Sequence, residues 1–309
     1  DSKKIALLDR KKEWSVWDIQ SGKKERLLAT DGSGFVGFAP APEHHVWTIN
    51  KEGALQSVDP QTGRIISKLL QLDTSWVKLS QNHKWLAVGS KNAIDLWKID
   101  GTSFTKIQRL PAPGARHFTF NSEGTKLAAN FAYSGKLVCW DLLQMKMIYT
   151  KTLGYLGECA FSPDGKLLIA PEIASGKIHV LRADDGEETK PLVGHKGGAL
   201  RVDFSRDGRH LVSCGQLYAQ GSKADGTIRV WEIQKREQIQ YWQADGYPGL
   251  NSVKFSPDGN WLASMGGRNH TVKLWKVSYK KAAPTPDSPK PGTLLWEFET
   301  GDRVDYSSP

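Results

Sequence analysis

The chain repeats itself. Seven times an apolar run ends on a large side chain, at Trp17, Val58, Trp97, Trp140, Leu181, Trp231 and Trp275. Subtraction gives spacings of 41, 39, 43, 41, 50 and 44 residues, so the repeats occupy essentially all 309 positions. A period in that range marks an array of supersecondary units, each burying its faces against the next. The units read as strands, because apolar residues alternate with polar ones, as at Leu200, Val202 and Phe204.

A turn recurs at a fixed place within the period. It is written Phe161-Ser-Pro-Asp-Gly165, Phe204-Ser-Arg-Asp-Gly208 and Phe255-Ser-Pro-Asp-Gly259, with a looser copy at Phe120-Asn-Ser-Glu-Gly124. Pro presets φ and Gly accepts a positive φ, so each copy predicts a tight reversal between a first and a second strand. Phe38-Ala-Pro-Ala-Pro42 and Leu79-Ser-Gln-Asn-His83 are more distant copies, placed by their neighbours.

The fullest repeat runs from Gly194-His195 to Trp231-Glu232. Its order of parts resembles the WD40 repeat: a Gly-His pair, a Val-x-Phe strand, the Asp-Gly turn, a second strand over 210–214, and a third strand ending on Trp. The resemblance implies a seven-bladed β-propeller of four-stranded antiparallel blades, forming one domain over residues 1–309. It also places His195, Ser213, Asp225 and Trp231 as a buried hydrogen-bonded tetrad, in which imidazole, hydroxyl, carboxylate and indole N–H satisfy one another. Ser213, His195 and Asp225 could alternatively be read as a hydrolase triad; the motif context favours the structural reading. In the seventh repeat Ser264 and Trp275 remain and Asn269 takes the Asp place.

The two ends fit one blade. Lys3 to Leu8 resembles a second strand, and Arg303 to Pro309 resembles a first strand, so the C-terminal strand plus three N-terminal strands are expected to close the ring and remove its edge. The chain begins at Asp1 without Met, which suggests residues upstream. Two insertions break the period, over Gly215 to Ala224 and over Ser278 to Gly292; the second is Pro-rich and charged and is expected to be flexible.

In such a propeller the residue just before the first-strand Val-x-Phe lines the top of the central channel. Alignment gives Phe35, Trp76, His117, Glu158, Arg201, Ser252 and Arg303, with Tyr218, Tyr155, Tyr247 and Arg116 in nearby loops. Aromatic and Arg residues suit a protein-docking surface, and the family resemblance implies that partners bind there. Phe35 and Trp76 could instead pack between blades.

On the opposite face Lys3, Lys4, Lys23, Lys24, Lys280 and Lys281 cluster near the seam. With a net charge of +9 and pI near 9.3 they suit an acidic partner, an anionic surface or nucleic acid. No aromatic interleaving accompanies them, so nucleic-acid binding lacks a specific signature.

Enzyme chemistry has little support. There is no Gly-x-Ser-x-Gly, no phosphate loop, and no His/Cys cluster at metal spacing, so no cofactor or metal is expected. His44-His45 would point to opposite faces of a strand. Glu158 with His117 is the pair a propeller enzyme could use on a small ligand in the channel. The reading that best fits is a non-catalytic protein-interaction scaffold or sensor. Cys139, Cys159 and Cys214 are an odd set of strand cysteines, suggesting packed, reduced thiols and a cytoplasmic location. No apolar stretch is long enough to span a membrane.

Overall fold

In a computed structural model of the chain, the described residues are 4–8, 14–18, 21, 23–28, 34–39, 45–59, 62–74, 76–131, 134–216, 225–246, 249–266, 271–277 and 293–299. All regular structure among them is β-strand, and the strands pair antiparallel. The chain divides into two compact units.

The first unit is Lys3–Ala115 with Ser122–Lys126 and Thr300–Pro309. Its first sheet holds β1 (Lys4–Leu8), β2 (Trp14–Asp18) and β3 (Lys24–Leu28). The second holds β4 (Gly34–Phe38), β5 (Val46–Ile49), β6 (Ala54–Val58) and β7 (Ile65–Gln71) in that order. The third holds β8 (Val77–Leu79), β9 (Trp85–Gly89), β10 (Ala93–Asp100) and β11 (Ser103–Pro111). Apolar residues of the last two sheets meet in one core, with Trp47, Leu55, Leu86 and Val88 buried and Trp97 and Phe104 packed against them.

The second unit comprises Asp1–Ser2, Arg116–Asn121 and Leu127–Glu299. It begins with a sheet of β12 (Ala115–Phe120), β13 (Lys126–Phe131), β14 (Lys136–Asp141) and β15 (Lys146–Thr152). Next come β16 (Ala160–Phe161), β17 (Leu167–Pro171) and β18 (Ile178–Arg182). Two four-stranded sheets follow. One contains β19 (Gly198–Phe204), β20 (His210–Gln216), β21 (Thr227–Glu232) and β22 (Glu237–Gln243). The other contains β23 (Leu250–Phe255), β24 (Trp261–Gly266), β25 (Thr271–Lys276) and β26 (Thr293–Glu299). Three apolar clusters lie between consecutive sheets, so the β16–β18 and β19–β22 sheets each bury both faces.

Five anchor residues of the repeat, Val58, Trp97, Trp140, Trp231 and Trp275, fall on the third strand of a four-stranded sheet, and the fourth strand bulges opposite each. Trp97 pairs with Lys106 while Leu96 pairs with Gln108, leaving Ile107 out of the ladder. The residue left out is Ile148 opposite Trp140, Ile239 opposite Trp231, Leu295 opposite Trp275, and Ile66 opposite Val58. A bulge re-aims one side chain and sharpens the local twist.

The Asp-Gly turns hold themselves shut. Ser162, Ser205 and Ser256 each donate Oγ–H to the aspartate two residues on, at 2.5, 2.7 and 2.5 Å, and accept a backbone N–H five residues on. Gly165, Gly208 and Gly259 supply the positive φ, near 70°. In the distant copy Asn82 replaces Asp, and His83 takes the same turn at φ 56°.

Two expectations change, and a third falls on residues outside the described ones. The fourth strand of the β16–β18 sheet is reduced to isolated bridges, Leu181 with Glu188 and Ile178 with Leu192, because Pro191 has no N–H to continue a ladder. The second strand of the fullest repeat does not stop at Cys214: Gly215 pairs with Ala199 and Gln216 with Gly198, so the insertion starts later. The β1–β3 sheet has three described strands, and residues 303–309, expected to complete it, lie outside the described residues; so do 217–224 and 278–292.

Candidate functional site

The tetrad residues come from a loop and two strands. His195 lies in the loop before β19, Ser213 on β20, Asp225 just before β21, and Trp231 on β21. Trp231 Nε1–H donates to Ser213 Oγ at 2.8 Å. That leaves the Ser213 hydroxyl proton for His195 Nε2, also at 2.8 Å, and Nδ1–H for Asp225 Oδ2 at 3.1 Å. Lys196 N–H donates to Asp225 Oδ2 at 2.6 Å, Thr227 N–H to Oδ1 at 3.1 Å, and the Thr227 hydroxyl to Oδ1 as well. Burial alone would raise the Asp225 carboxyl; the hydrogen bond and charge of His195, with the Thr227 and Lys196 donors, hold it well below the usual carboxylate range. Burial pushes the His195 imidazole down, against the opposing pull of Asp225. Ser213 and His195 are sealed from solvent, so this arrangement supports a sheet rather than attacking a substrate.

Sequence reasoning missed a fifth member, Arg229. Its guanidinium is buried and stacks 5.1 Å from the Tyr241 ring centroid. It donates to Gln238 Oε1 at 2.5 Å and to Thr227 Oγ1 at 3.2 Å. Arg229 Nε also lies 3.3 Å from His195 Nδ1, but a protonated Nδ1 cannot accept, so Thr227 takes that donor. The signal was available. The residue two before the third-strand anchor is charged or titratable in four repeats: Asp95, His179, Arg229 and Lys273. Each meets a partner of its own: Lys106 and Arg109 on Asp95, Glu188 on His179, and the Ala244 carbonyl on Lys273.

Four residues predicted to line the channel lie on or beside the inner strands of the second unit, where polar contacts link sheet to sheet. Asn130 Oδ1 accepts the His117 backbone N–H at 3.1 Å, and its amide donates to the Gly157 carbonyl. Glu158 N–H donates to the Leu200 carbonyl at 2.9 Å, and Arg201 Nη1 pairs with the Glu158 carboxylate. Two residues along β19, Asp203 accepts Lys254 Nζ at 3.0 Å and Phe255 N–H at 2.8 Å. Ser252 is half-buried on β23. Arg116 is exposed and donates to the Tyr155 hydroxyl at 2.5 Å. Glu158, the carboxylate that the enzyme alternative pairs with His117, is held by the Arg201 guanidinium.

In the first unit Phe35 lies on β4, and Trp76 precedes β8, half-buried. The Trp76 ring packs against Gly89, where an added Cβ would meet it at 2.2 Å. It is a packed residue as much as an accessible anchor. Lys23 is exposed; Lys4 and Lys24 lie on β1 and β3. Tyr218, Tyr247, Asn269, Lys3, Lys280, Lys281 and Arg303 lie outside the described residues. Cys139, Cys159 and Cys214 are buried thiols outside any disulfide, and burial pushes the Cys159 and Cys214 thiols up to about 12. Among the described residues no His/Cys/Asp/Glu group could hold a metal ion, and no helix is long and apolar enough to cross a membrane.

Repeated four-stranded antiparallel sheets, with a buried His–Ser–Asp–Trp network in one of them, define the class: an all-β protein of β-propeller type. The chain carries WD40 repeats, since the family model of the WD domain, G-beta repeat, matches residues 186–232 and 238–276.

Its relatives are WD repeat-containing proteins. The human U3 small nucleolar RNA-associated protein 18 homolog is 26% identical over 70% of this chain. A WD repeat-containing protein of Synechocystis is 34% identical over 39%, and Transcription factor unc-37 of Caenorhabditis elegans 24% over 66%. The matches span only 38%, 32% and 33% of those relatives' lengths. Among solved structures, KlHsv2 with loop 6CD replaced by a Gly-Ser linker aligns with a TM-score of 0.68 over 93% of this chain and 92% of that one; at 15% identity this shows the fold alone.

Proposed function

We propose that this chain is a non-catalytic scaffold that docks a protein partner on the channel mouth ringed by Phe35, Trp76, His117, Glu158, Arg201, Ser252 and Arg303, with Tyr218 beside it. In this reading the sheets are seven blades of one cytoplasmic propeller, closed by residues 303–309 pairing with β1. WD40 repeats commonly serve as interaction platforms, and the relatives' names describe assemblies and regulation rather than catalysis. The observation that carries the proposal is the Glu158–Arg201 pair. Glu158 fixes the guanidinium while the side chain keeps part of its surface, and a pre-oriented fork suits a carboxylate on a partner.

The test is partner capture across a ladder of salt concentrations. Arg201→Ala and Trp76→Ala should each weaken capture by about 1–3 kcal/mol with the fold retained. Charge reversal of Lys23 and Lys24 should mainly change association rates. Capture that ignores both alanine variants but vanishes at modest salt would instead favour an electrostatic binder of nucleic acid or an anionic surface. Turnover of a small molecule lost on changing Glu158 or His117 would overturn the scaffold reading.

A further inference from the structure

The bulge residue of the fourth strand has one environment in the second unit and another in the first. Ile148 and Ile239 are partly buried, each packed on the core beside its sheet. Ile66 and Ile107 occupy the same place in the bulge and are 47% and 43% exposed. Ile65 beside them is 46% exposed. One repeated structural position is therefore covered in one unit and open in the other.

The open strands share two further properties. Each pairs with a single neighbour, β7 with β6 and β11 with β10, so the outer backbone edge of each meets no strand among the described residues. Their side chains are also of one sign. β7 carries Lys68, with Arg64 just before it, and β11 carries Lys106 and Arg109; neither strand contains a carboxylate. Asp95, on β10 beneath, holds Lys106 at 2.7 Å and Arg109 at 2.8 Å and offsets one of these charges. The two strands touch, and Phe104 of β11 packs on Trp47 of β5 at 5.4 Å, which ties the two sheets together beside these edges.

We propose that the β7–β11 edge binds an extended, acidic protein segment in which apolar side chains alternate with carboxylates. An incoming strand would take up the open backbone edge of β7, its apolar residues would cover Ile66, and its carboxylates would face Lys68, with the cations of the touching β11 strand alongside. Lysines on an edge strand discourage pairing with a like-charged edge, and the same charges admit an acidic strand. Three observations favour a peptide over the other anionic macromolecules. Single-stranded nucleic acid would want stacking platforms, and the one aromatic ring of these two strands, Phe104, is committed to Trp47. A lipid surface would leave the backbone edge unsatisfied, since hydrocarbon offers no hydrogen bonds. The isoleucines are about half exposed, on strands that carry cations. This surface is separate from the channel mouth proposed above and needs none of its residues.

The test uses fluorescence polarisation with the whole chain and a short labelled peptide alternating Glu with Leu. Its controls are a Lys-for-Glu version and a version with Pro at alternate positions, which cannot extend a ladder. Saturable binding of the Glu–Leu peptide alone is expected. Ile66→Ser with Ile107→Ser should weaken it by at least about tenfold, and Arg64→Glu with Lys68→Glu by a similar factor, all with unchanged thermal midpoints. Arg201→Ala should leave it intact. Binding that is absent, that survives these paired substitutions, or that the Pro version shares overturns the proposal. So does tighter binding of phosphatidylserine vesicles or poly-uridine RNA that is lost with the same substitutions.

Discussion

Replacing Ser213 by Ala deletes one oxygen and orphans two neighbours. Ser213 Oγ takes the Trp231 indole N–H and lies against His195 Nε2, both at 2.8 Å, in a site closed to solvent. A buried polar group left without its partner costs about 1–3 kcal/mol. Two such groups, less the relief of no longer burying a hydroxyl, give about 2–4 kcal/mol of lost stability. Because the loss comes from orphaned partners, it should shrink when a partner is removed first. Trp231→Phe removes the donor and keeps most of the apolar ring. In that background Ser213→Ala should cost about 1–2 kcal/mol less than in the wild type. Urea denaturation of the four proteins, with the dependence on denaturant checked for constancy, measures the coupling. Additive costs within about 0.5 kcal/mol would refute the bond as the source of the loss, and a single-variant cost below that figure would refute the network altogether.

Three further outcomes follow from the same structure. Trp97 Nε1 is buried with no hydrogen-bond partner, and Val88 stands in the register that Ser213 holds toward Trp231. Val88→Ser should therefore come within about 1 kcal/mol of neutral, whereas Val180→Ser, equally buried but with no indole to satisfy, should cost about 2–3 kcal/mol; equal losses in thermal or urea unfolding would count against the orphaned indole. Both His195 and Asp225 have depressed pKa values in the fold, so the unfolded chain binds protons more readily and stability falls with pH. The His195 share is lost as pH drops below about 6.5 and the Asp225 share below about 3.9. Urea midpoints at neutral and mildly acid pH should drop less in His195→Gln than in the wild type, and an equal drop would remove His195 from the account. If residues 303–309 close the ring, deleting them should lower the thermal midpoint and promote self-association on size-exclusion chromatography; an unchanged monomer would reject closure.

Much of the architecture is legible in the sequence because it is local. Period-two alternation fixes strands, Ser-x-Asp-Gly fixes the turns through hydrogen bonds made within a few residues, and the recurrence of Trp17, Trp97, Trp140, Trp231 and Trp275 sets the repeat. The network of His195, Ser213, Asp225 and Trp231 is legible through the resemblance of this repeat to the WD40 repeat, which gives its members fixed places. Its fifth member, Arg229, carries a signal in its place two before the anchor, but its partners Gln238 and Tyr241 come from the opposite strand across a bulge and are set by the tertiary structure. Glu158 and Arg201 were both picked out as accessible side chains; only the parallel approach of two chain segments distant in sequence makes them partners. The loss of a regular fourth strand after β18 turns on Pro191, whose missing N–H matters only once its neighbour is known. Whether a bulge isoleucine is covered, as at Ile148, or left open, as at Ile107, depends on what packs against its sheet, and that information is not carried by the repeat itself.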